Sequence, residues 1–113
     1  MHEVSLIEGI VDLVAAEARK QAFSQVRVIR LRLGALGHAE PEALRFCFDA
    51  VTNGTIADGA RLEIEMVPGR GWCFGCESTA LLDERFAACP HCGKAPLQIL
   101  AGDELQLAEL EVD

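Results

Sequence analysis

Two pairs of closely spaced cysteines are the residues of this chain with the clearest chemistry. They form two C-x-x-C motifs separated by residues 77–88: Cys73, Cys76, Cys89 and Cys92. A gap of two residues lets one tight turn direct both sulfurs at the same ion, and Gly75 permits the close backbone approach that the turn needs. Four thiolates close the tetrahedral coordination sphere of Zn(II). We therefore expect a structural zinc site, with iron as the alternative metal.

Other uses of these residues are less favoured. A single C-x-x-C motif can be a redox dithiol, but two motifs without a surrounding strand-helix-strand pattern favour metal binding. His91 lies inside the second motif and is expected to occupy the turn, since four sulfurs already suffice. Cys47 falls on the apolar face of a predicted helix, so we expect a buried thiol without chemistry of its own.

The N-terminus is a second candidate metal site. Met1 should be retained because His2 is bulky, which leaves an amine, a peptide nitrogen and an imidazole within two residues. These three nitrogens can close fused chelate rings around Ni(II) or Cu(II), which accept planar nitrogen donors. Glu3 adds a neighbouring carboxylate. A histidine at the second position of a frayed terminus can equally bind nothing, and spacing alone does not decide between the two.

The elements that would position these residues follow from the hydrophobic pattern. Two stretches indicate helices: residues 5–21, with Ser5 and Glu8 as a capping box, and a helix that starts at Pro41 and ends at Asn53-Gly54. Three stretches alternate apolar and polar residues and indicate strands: 25–33, 62–66 and 105–112. The carboxylates of Glu63 and Glu65 are expected to face arginines of the first strand.

The predicted fold class is α+β, with a small mixed or antiparallel three-stranded sheet, two helices and an inserted zinc ribbon. Residues 69–97 form the predicted ribbon, because this segment is poor in branched apolar residues and needs a metal to replace a core. Residues 1–68 and 98–113 form the predicted domain around it.

Composition limits the function classes. The chain has 113 residues, 10 Lys and Arg against 18 Asp and Glu, and a net charge of -8, which argues against nucleic acid as a partner. No apolar run approaches the roughly 20 residues that span a bilayer, and no secretory signal is recognised, so we expect no membrane partner and a cytoplasmic location. No catalytic arrangement of side chains is found, and we expect no enzyme. The alternative function is a zinc-ribbon nucleic-acid-binding or adaptor protein.

Several segments carry a resemblance to a known family. They are the opening MHEVS, GHAEPEALRF at 37–46, GARLEI at 59–64, both cysteine motifs and GDEL at 102–105. Together they resemble the HypA/HybF family of hydrogenase nickel-incorporation proteins. The resemblance implies a small cytosolic nickel metallochaperone with an α/β nickel-binding domain and a zinc ribbon. It also implies work with the GTPase HypB to load nickel into the large subunit of [NiFe]-hydrogenase. Some members also serve urease maturation, and whether the chain acts as a monomer or a homodimer stays open.

The resemblance also assigns residues. It implies nickel at His2, with Glu3 as a neighbouring or direct ligand, and structural zinc at the four cysteines; the Met1 amine is the further donor that the chelate geometry indicates. Glu40 corresponds to an acidic residue that contributes to the nickel site in this family, although it could equally serve the N-terminus of the second helix. His38 departs from the family pattern and either supplies an imidazole to nickel or lies in a solvated loop.

Overall fold

The computed structural model describes residues 2–113, which form two helices and six strands. In chain order they are α1 (His2–Gln21), β1 (Val26–Gly34), α2 (Pro41–Thr52), β2 (Arg61–Val67), β3 (Gly69–Cys73), β4 (Ser78–Leu82), β5 (Gln98–Ala101) and β6 (Leu105–Val112). The strands make two three-stranded sheets, in the orders β2-β1-β6 and β4-β3-β5. The predicted α+β class with two helices and a three-stranded sheet is confirmed. No helix within residues 2–113 is both long enough and apolar enough to cross a bilayer.

Helix α1 starts earlier than predicted. It begins at His2, so the expectation that Ser5 caps the helix is wrong, and Ser5 lies inside the helix. Residues 2–5 contain no glycine or proline that would stop the helix from extending. Glu3 also places an acidic side chain in the first turn, where it interacts favourably with the positive end of the helix dipole.

The first sheet is mixed in direction. The N–H of Gly34 donates to the carbonyl of Glu104 at 2.8 Å, and the N–H of Asp113 donates to the carbonyl of Gln25 at 3.2 Å. The end of β1 therefore lies beside the start of β6, and these two strands are antiparallel.

Strands β1 and β2 run in the same direction. Arg30 contacts Glu63 at 2.7 Å, and Arg32 contacts Glu65 at 2.9 Å, so the two ion pairs advance together along both strands. The prediction that these carboxylates face arginines of β1 is confirmed. Helix α2 lies between β1 and β2 in the chain, as a parallel pair requires a crossover.

The chain divides into two compact units. The first contains the residues up to Leu31 together with 39–64 and 107–113, and the second contains 32–38 and 65–106. The domain boundaries proposed from the sequence stay a prediction.

The first unit has an apolar core between the helices and the sheet. Helix α1 packs against α2, and the fully buried side chains include Ile7 and Val14 of α1, Ile29 of β1 and Leu44 of α2. Cys47 is only half-buried, contrary to the expectation of a buried thiol, because the buried face of α2 centres on Leu44 and Phe48.

The second unit has a small core of its own. In its sheet β3 is the central strand and is antiparallel to both neighbours. The buried cluster consists of Leu36, Cys73, Ala80, Leu82, Cys89 and Leu97. Two of its six members are cysteines, which agrees with the expectation that this segment contains too few large apolar side chains to stabilise itself by burial alone.

Candidate metal centre

The first cysteine pair sits at a hairpin. Strand β3 ends at Cys73 and β4 starts at Ser78, and these two residues are paired across the hairpin. Cys76 therefore lies in the connecting turn, which brings its sulfur to the same end of the sheet as that of Cys73. The Sγ of Cys76 also lies 3.2 Å from the hydroxyl of Ser78.

The second pair is held by a tight loop. The N–H of Cys89 donates to the carbonyl of Lys94, and the N–H of Gly93 donates back to the carbonyl of Cys89, both at 2.8 Å. Gly93 has a φ of 77°, a conformation that glycine adopts without steric cost. The N–H of His91 points at the Sγ of Cys89 at 3.4 Å. The loop thus turns both sulfurs toward one side.

The four sulfurs converge on one point. All four Sγ atoms lie within 4.8 Å of one another. Those of Cys73 and Cys92 are 3.5 Å apart, and those of Cys76 and Cys89 are 3.7 Å apart. These distances exceed the roughly 2.05 Å of a disulfide. They are close to the edge, about 3.8 Å, of a tetrahedron with metal–sulfur bonds of about 2.3 Å, so the donor set fits zinc.

Each motif contributes one buried and one more accessible sulfur. Cys73 and Cys89 are 2% and 3% exposed and belong to the core of the second unit. Cys76 and Cys92 lie nearer the surface. An ion held by the four would therefore link the packed interior of the unit to both surface loops.

The electrostatics of the cluster separate the thiols into two kinds. The N–H of Cys76 directed at the sulfur of Cys73 lowers the pKa of Cys73 to about 6, and the N–H of Cys92 likewise lowers the pKa of Cys89. The N–H of Lys94 acts to lower the pKa of Cys92, but the neighbouring thiol of Cys73 and burial raise it to about 11.

Cys76 follows the same pattern as Cys92. The hydroxyl of Ser78 lowers its pKa, but the thiol of Cys73 and burial outweigh that effect, so its pKa is raised. Two thiols thus ionise readily and two resist ionisation beside them. A divalent cation at the centre would stabilise all four thiolates.

His91 is exposed, and the metal-ligand cluster found among residues 2–113 consists of cysteines alone. The expectation that His91 occupies the turn agrees with this placement.

The predicted nickel donors at the N-terminus are described only in part. Met1 lies outside the described residues. His2 is the first residue of α1, and Glu3 is half-buried in the first turn.

The remaining two candidates lie in the segment before α2. His38 is exposed in the bend that follows β1. Glu40 is exposed at the N-cap position of α2, with extended backbone, and its carboxylate makes no capping hydrogen bond. At this position a carboxylate meets the positive end of the helix dipole, so both uses expected of Glu40, nickel ligation and service to the start of α2, stay predictions.

Comparison with known proteins identifies the family to which the chain belongs. A model described as "Hydrogenase/urease nickel incorporation, metallochaperone, hypA" matches residues 1–112. The chain belongs to the HypA family. Its role is therefore that of a nickel-incorporation metallochaperone in hydrogenase maturation.

Individual HypA relatives agree over their full length. The chain is 71% identical to the hydrogenase maturation factor HypA of Methylocella silvestris and 53% identical to that of Rhodopseudomonas palustris strain BisA53, covering 100% of both chains in each case. The solution structure of the Ni metallochaperone HypA from Helicobacter pylori is 18% identical, with a TM-score of 0.72 over 97% of this chain and 96% of that one. The likeness to that structure supports the HypA fold.

Some residues around the HypA cysteine cluster were missed from the sequence. Ser78 contacts Cys76, and its position two residues after a cysteine in a turn could have indicated a hydroxyl partner for the sulfur. Arg85 donates to the carbonyl of Leu36 at 3.1 Å and lies 4.0 Å from Asp103. No local signal predicts this contact, because it joins segments far apart in the chain.

Proposed function

We propose that this HypA family member binds Ni(II) at its N-terminal residues and delivers it to [NiFe]-hydrogenase, while Cys73, Cys76, Cys89 and Cys92 hold a structural zinc ion. The observation that carries the proposal is the match to a nickel-incorporation family from residue 1 onward. A helix that begins at His2 and a separate four-sulfur cluster support it.

The helix start favours His2 as a metal donor. The first N–H groups of a helix have no acceptor within it, so the backbone nitrogen of His2 can bind a metal without breaking a helical hydrogen bond. The positive end of the helix dipole disfavours a cation there. A bound Ni(II) therefore needs anionic donors, which a deprotonated amide and the carboxylate of Glu3 supply.

Glu40 and His38 are proposed as additional nickel donors that supplement the N-terminal ones. Both side chains are exposed, and the carboxylate of Glu40 is not used by the amides of α2. They would add to a chelate formed by Met1, His2 and Glu3 rather than replace it.

The two metals would play different roles. Zinc supplies structure to the second unit, because its sulfur ligands include two of the six core residues. Nickel is cargo and needs donors that can release it. The partners that we propose are a HypB-type GTPase, the large subunit of [NiFe]-hydrogenase and, for some members, urease maturation proteins.

The proposal also includes the absence of catalysis, the cellular location and the oligomeric state. The chain would act without catalysis of its own, in the cytoplasm, where thiols stay reduced and available to zinc. A homodimer that shares one nickel ion is the alternative to a monomer. Native mass spectrometry after nickel addition would report metal content and oligomeric state together.

Nickel titration of His2→Ala tests the central claim. We expect specific nickel binding to be lost, while zinc content and the circular dichroism spectrum stay unchanged. His91→Ala removes another histidine, next to the zinc site, and should retain nickel affinity. A form extended by residues before Met1 should lose binding as well, since it has no free amine at that position. Unchanged affinity in His2→Ala would move the site elsewhere.

A further inference from the structure

Strand β6 is an open edge of the first sheet. The strand order is β2-β1-β6, so within residues 2–113 β6 pairs with β1 alone and its outer backbone groups face no further strand. Every residue of β6 is half-buried or exposed. Proteins commonly protect such edges with charged side chains, especially lysine, or with proline. Strand β6 contains no lysine or proline, and its charged residues are Glu109 and Glu111. The strand therefore keeps the backbone donors and acceptors that a further strand could use.

A groove runs beside this edge. It has a volume of about 380 Å³ and lies between the end of α1 and β6. Its apolar lining includes Phe23, Leu107, Leu110 and Val112, and Glu17 and Glu109 add carboxylates. An open strand edge with apolar pockets alongside is the arrangement used when an extended peptide adds a strand to a sheet.

The negative charges of β6 indicate which kind of strand could pair with its open edge. Glu109 and Glu111 contact Arg30 of β1, and their side chains remain 65% and 50% exposed. Strand β1 has the sequence VRVIRLRLG, in which basic and apolar residues largely alternate. Strand β1 thus shows that the carboxylates of β6 bind basic side chains of a neighbouring strand. A second strand of the same kind could reach them from the outer side.

The same charges disfavour self-association. Pairing of β6 with β6 of a second copy would bring glutamates near glutamates, and like charges on neighbouring strands are destabilising. A basic strand from another protein meets no such repulsion.

We propose that β6 is a docking edge for an extended segment of a partner protein in which basic and apolar residues alternate. The segment would add to the sheet as a fourth strand, with its basic side chains toward Glu109 and Glu111 and apolar side chains toward the groove. This proposal does not rest on the site of nickel binding.

A short acetylated and amidated peptide of alternating lysine and valine is the probe. With the full-length, zinc-loaded protein we expect binding that weakens as salt is added, together with slower hydrogen exchange at residues 107–112. A peptide of the same composition with N-methyl groups along one edge should not bind, because it cannot complete the backbone ladder.

The variants separate this edge from the rest of the sheet. Replacing both Glu109→Gln and Glu111→Gln should weaken binding about fivefold, the effect expected from losing two exposed ion pairs. Glu63→Gln is the matched control: it also removes a carboxylate beside Arg30, but on β2, and should leave peptide affinity unchanged.

Three results would overturn the proposal. They are equal binding of the N-methylated peptide, protection of β2 instead of β6, and equal loss of affinity in Glu63→Gln. Concentration-dependent protection of β6 without peptide would show self-pairing instead, and would contradict the choice of occupant.

Discussion

Gly69 and Leu36 are packed so closely that no side chain fits between them. A Cβ atom on Gly69 would lie 2.5 Å from the Cγ of Leu36, and Leu36 is itself 4% exposed. Leu36 belongs to the same buried cluster as Cys73 and Cys89. The contact thus ties the loop after β1 to the core that surrounds two of the four sulfurs.

Substitution of Gly69 tests the importance of this contact. Gly69→Ala should lower the free energy of unfolding by about 1–3 kcal/mol, the usual cost of overpacking a core. Urea unfolding of the zinc-loaded protein measures it. Gly9→Ala is the control, because a Cβ there meets nothing within 4 Å and should stabilise the helix by about 0.5–1 kcal/mol.

A double variant checks the cause. If the clash with Leu36 is responsible, Leu36→Ala combined with Gly69→Ala should cost less than the sum of the two single changes. Additive costs would show that Gly69 is needed for another reason.

Removal of zinc should affect the second unit selectively. Its core has six residues, two of them cysteines, so loss of the metal leaves little to hold β3, β4 and β5 together. We expect a strong chelator to abolish hydrogen-exchange protection in these strands, while α1 and α2 stay protected by the core of the first unit. Retained protection in β3 without metal would contradict a structural role for zinc.

Single cysteine variants refine the same test. Cys73→Ser should lower zinc content and destabilise β3, whereas Cys47→Ser should leave zinc content unchanged, since Cys47 is not part of the cluster. Equal zinc loss in both variants would point to a general effect on folding.

The sequence predicted the first sheet well and the second sheet not at all. The alternation of apolar and polar residues located β1 and β2, although burial follows it only in part: Val28 and Ile29 are both buried in β1, and Met66 of β2 is exposed. In β3 the inward positions include Gly69 and Gly71, so no hydrophobic alternation is visible. A Cβ on Gly71 would lie 2.8 Å from Leu82, and this requirement arises from packing between distant segments.

The candidate site divides in the same way. The four-cysteine cluster was predictable because the turns that position each pair are local, and the two pairs need only approach one another. Whether Glu40 and His38 could bind nickel depends on how close they lie to the N-terminal residues. Their spacing in the sequence does not determine that distance. The start of α1 was misplaced because Ser5 and Glu8 match a capping box, although nothing in residues 2–5 prevents the helix from extending.

Acid should weaken one ion pair of the first sheet. The Arg30 guanidinium donates to the carboxylate of Glu63, with a smaller contribution from Arg61, and lowers the pKa of Glu63 below its ordinary value of 4.5. A carboxyl with a lowered pKa in the folded state stabilises the fold above its unfolded pKa. That contribution is lost as the pH falls through the folded pKa.

Glu63→Gln should therefore be less stable than the parent protein at neutral pH, and the difference should shrink below the ordinary pKa of 4.5 and disappear once the pH falls below the lowered pKa of Glu63. Urea midpoints measured across this range give the comparison. Repeating it at roughly 1 M salt should shrink the difference at neutral pH, because both partners are partly exposed. A difference that is independent of pH would mean that Glu63 acts by packing.

Acid should also release nickel before zinc. The proposed nickel donors include an amine with a reference pKa of about 8 and an imidazole near 6.5, so protons compete with nickel for both donors as the pH falls through this range. The sulfur cluster should keep its zinc to lower pH, because backbone N–H groups lower the pKa of Cys73 and Cys89 and zinc would stabilise the remaining thiolates.

Titration of nickel affinity and zinc content from pH about 8 to about 5.5 provides the measurement. Nickel affinity should fall steeply over this range while zinc content stays constant, and His91→Ala should behave in the same way. A flat nickel curve would show that the terminal amine and imidazole are not the donors, and joint loss of both metals would show that the two sites are not independent.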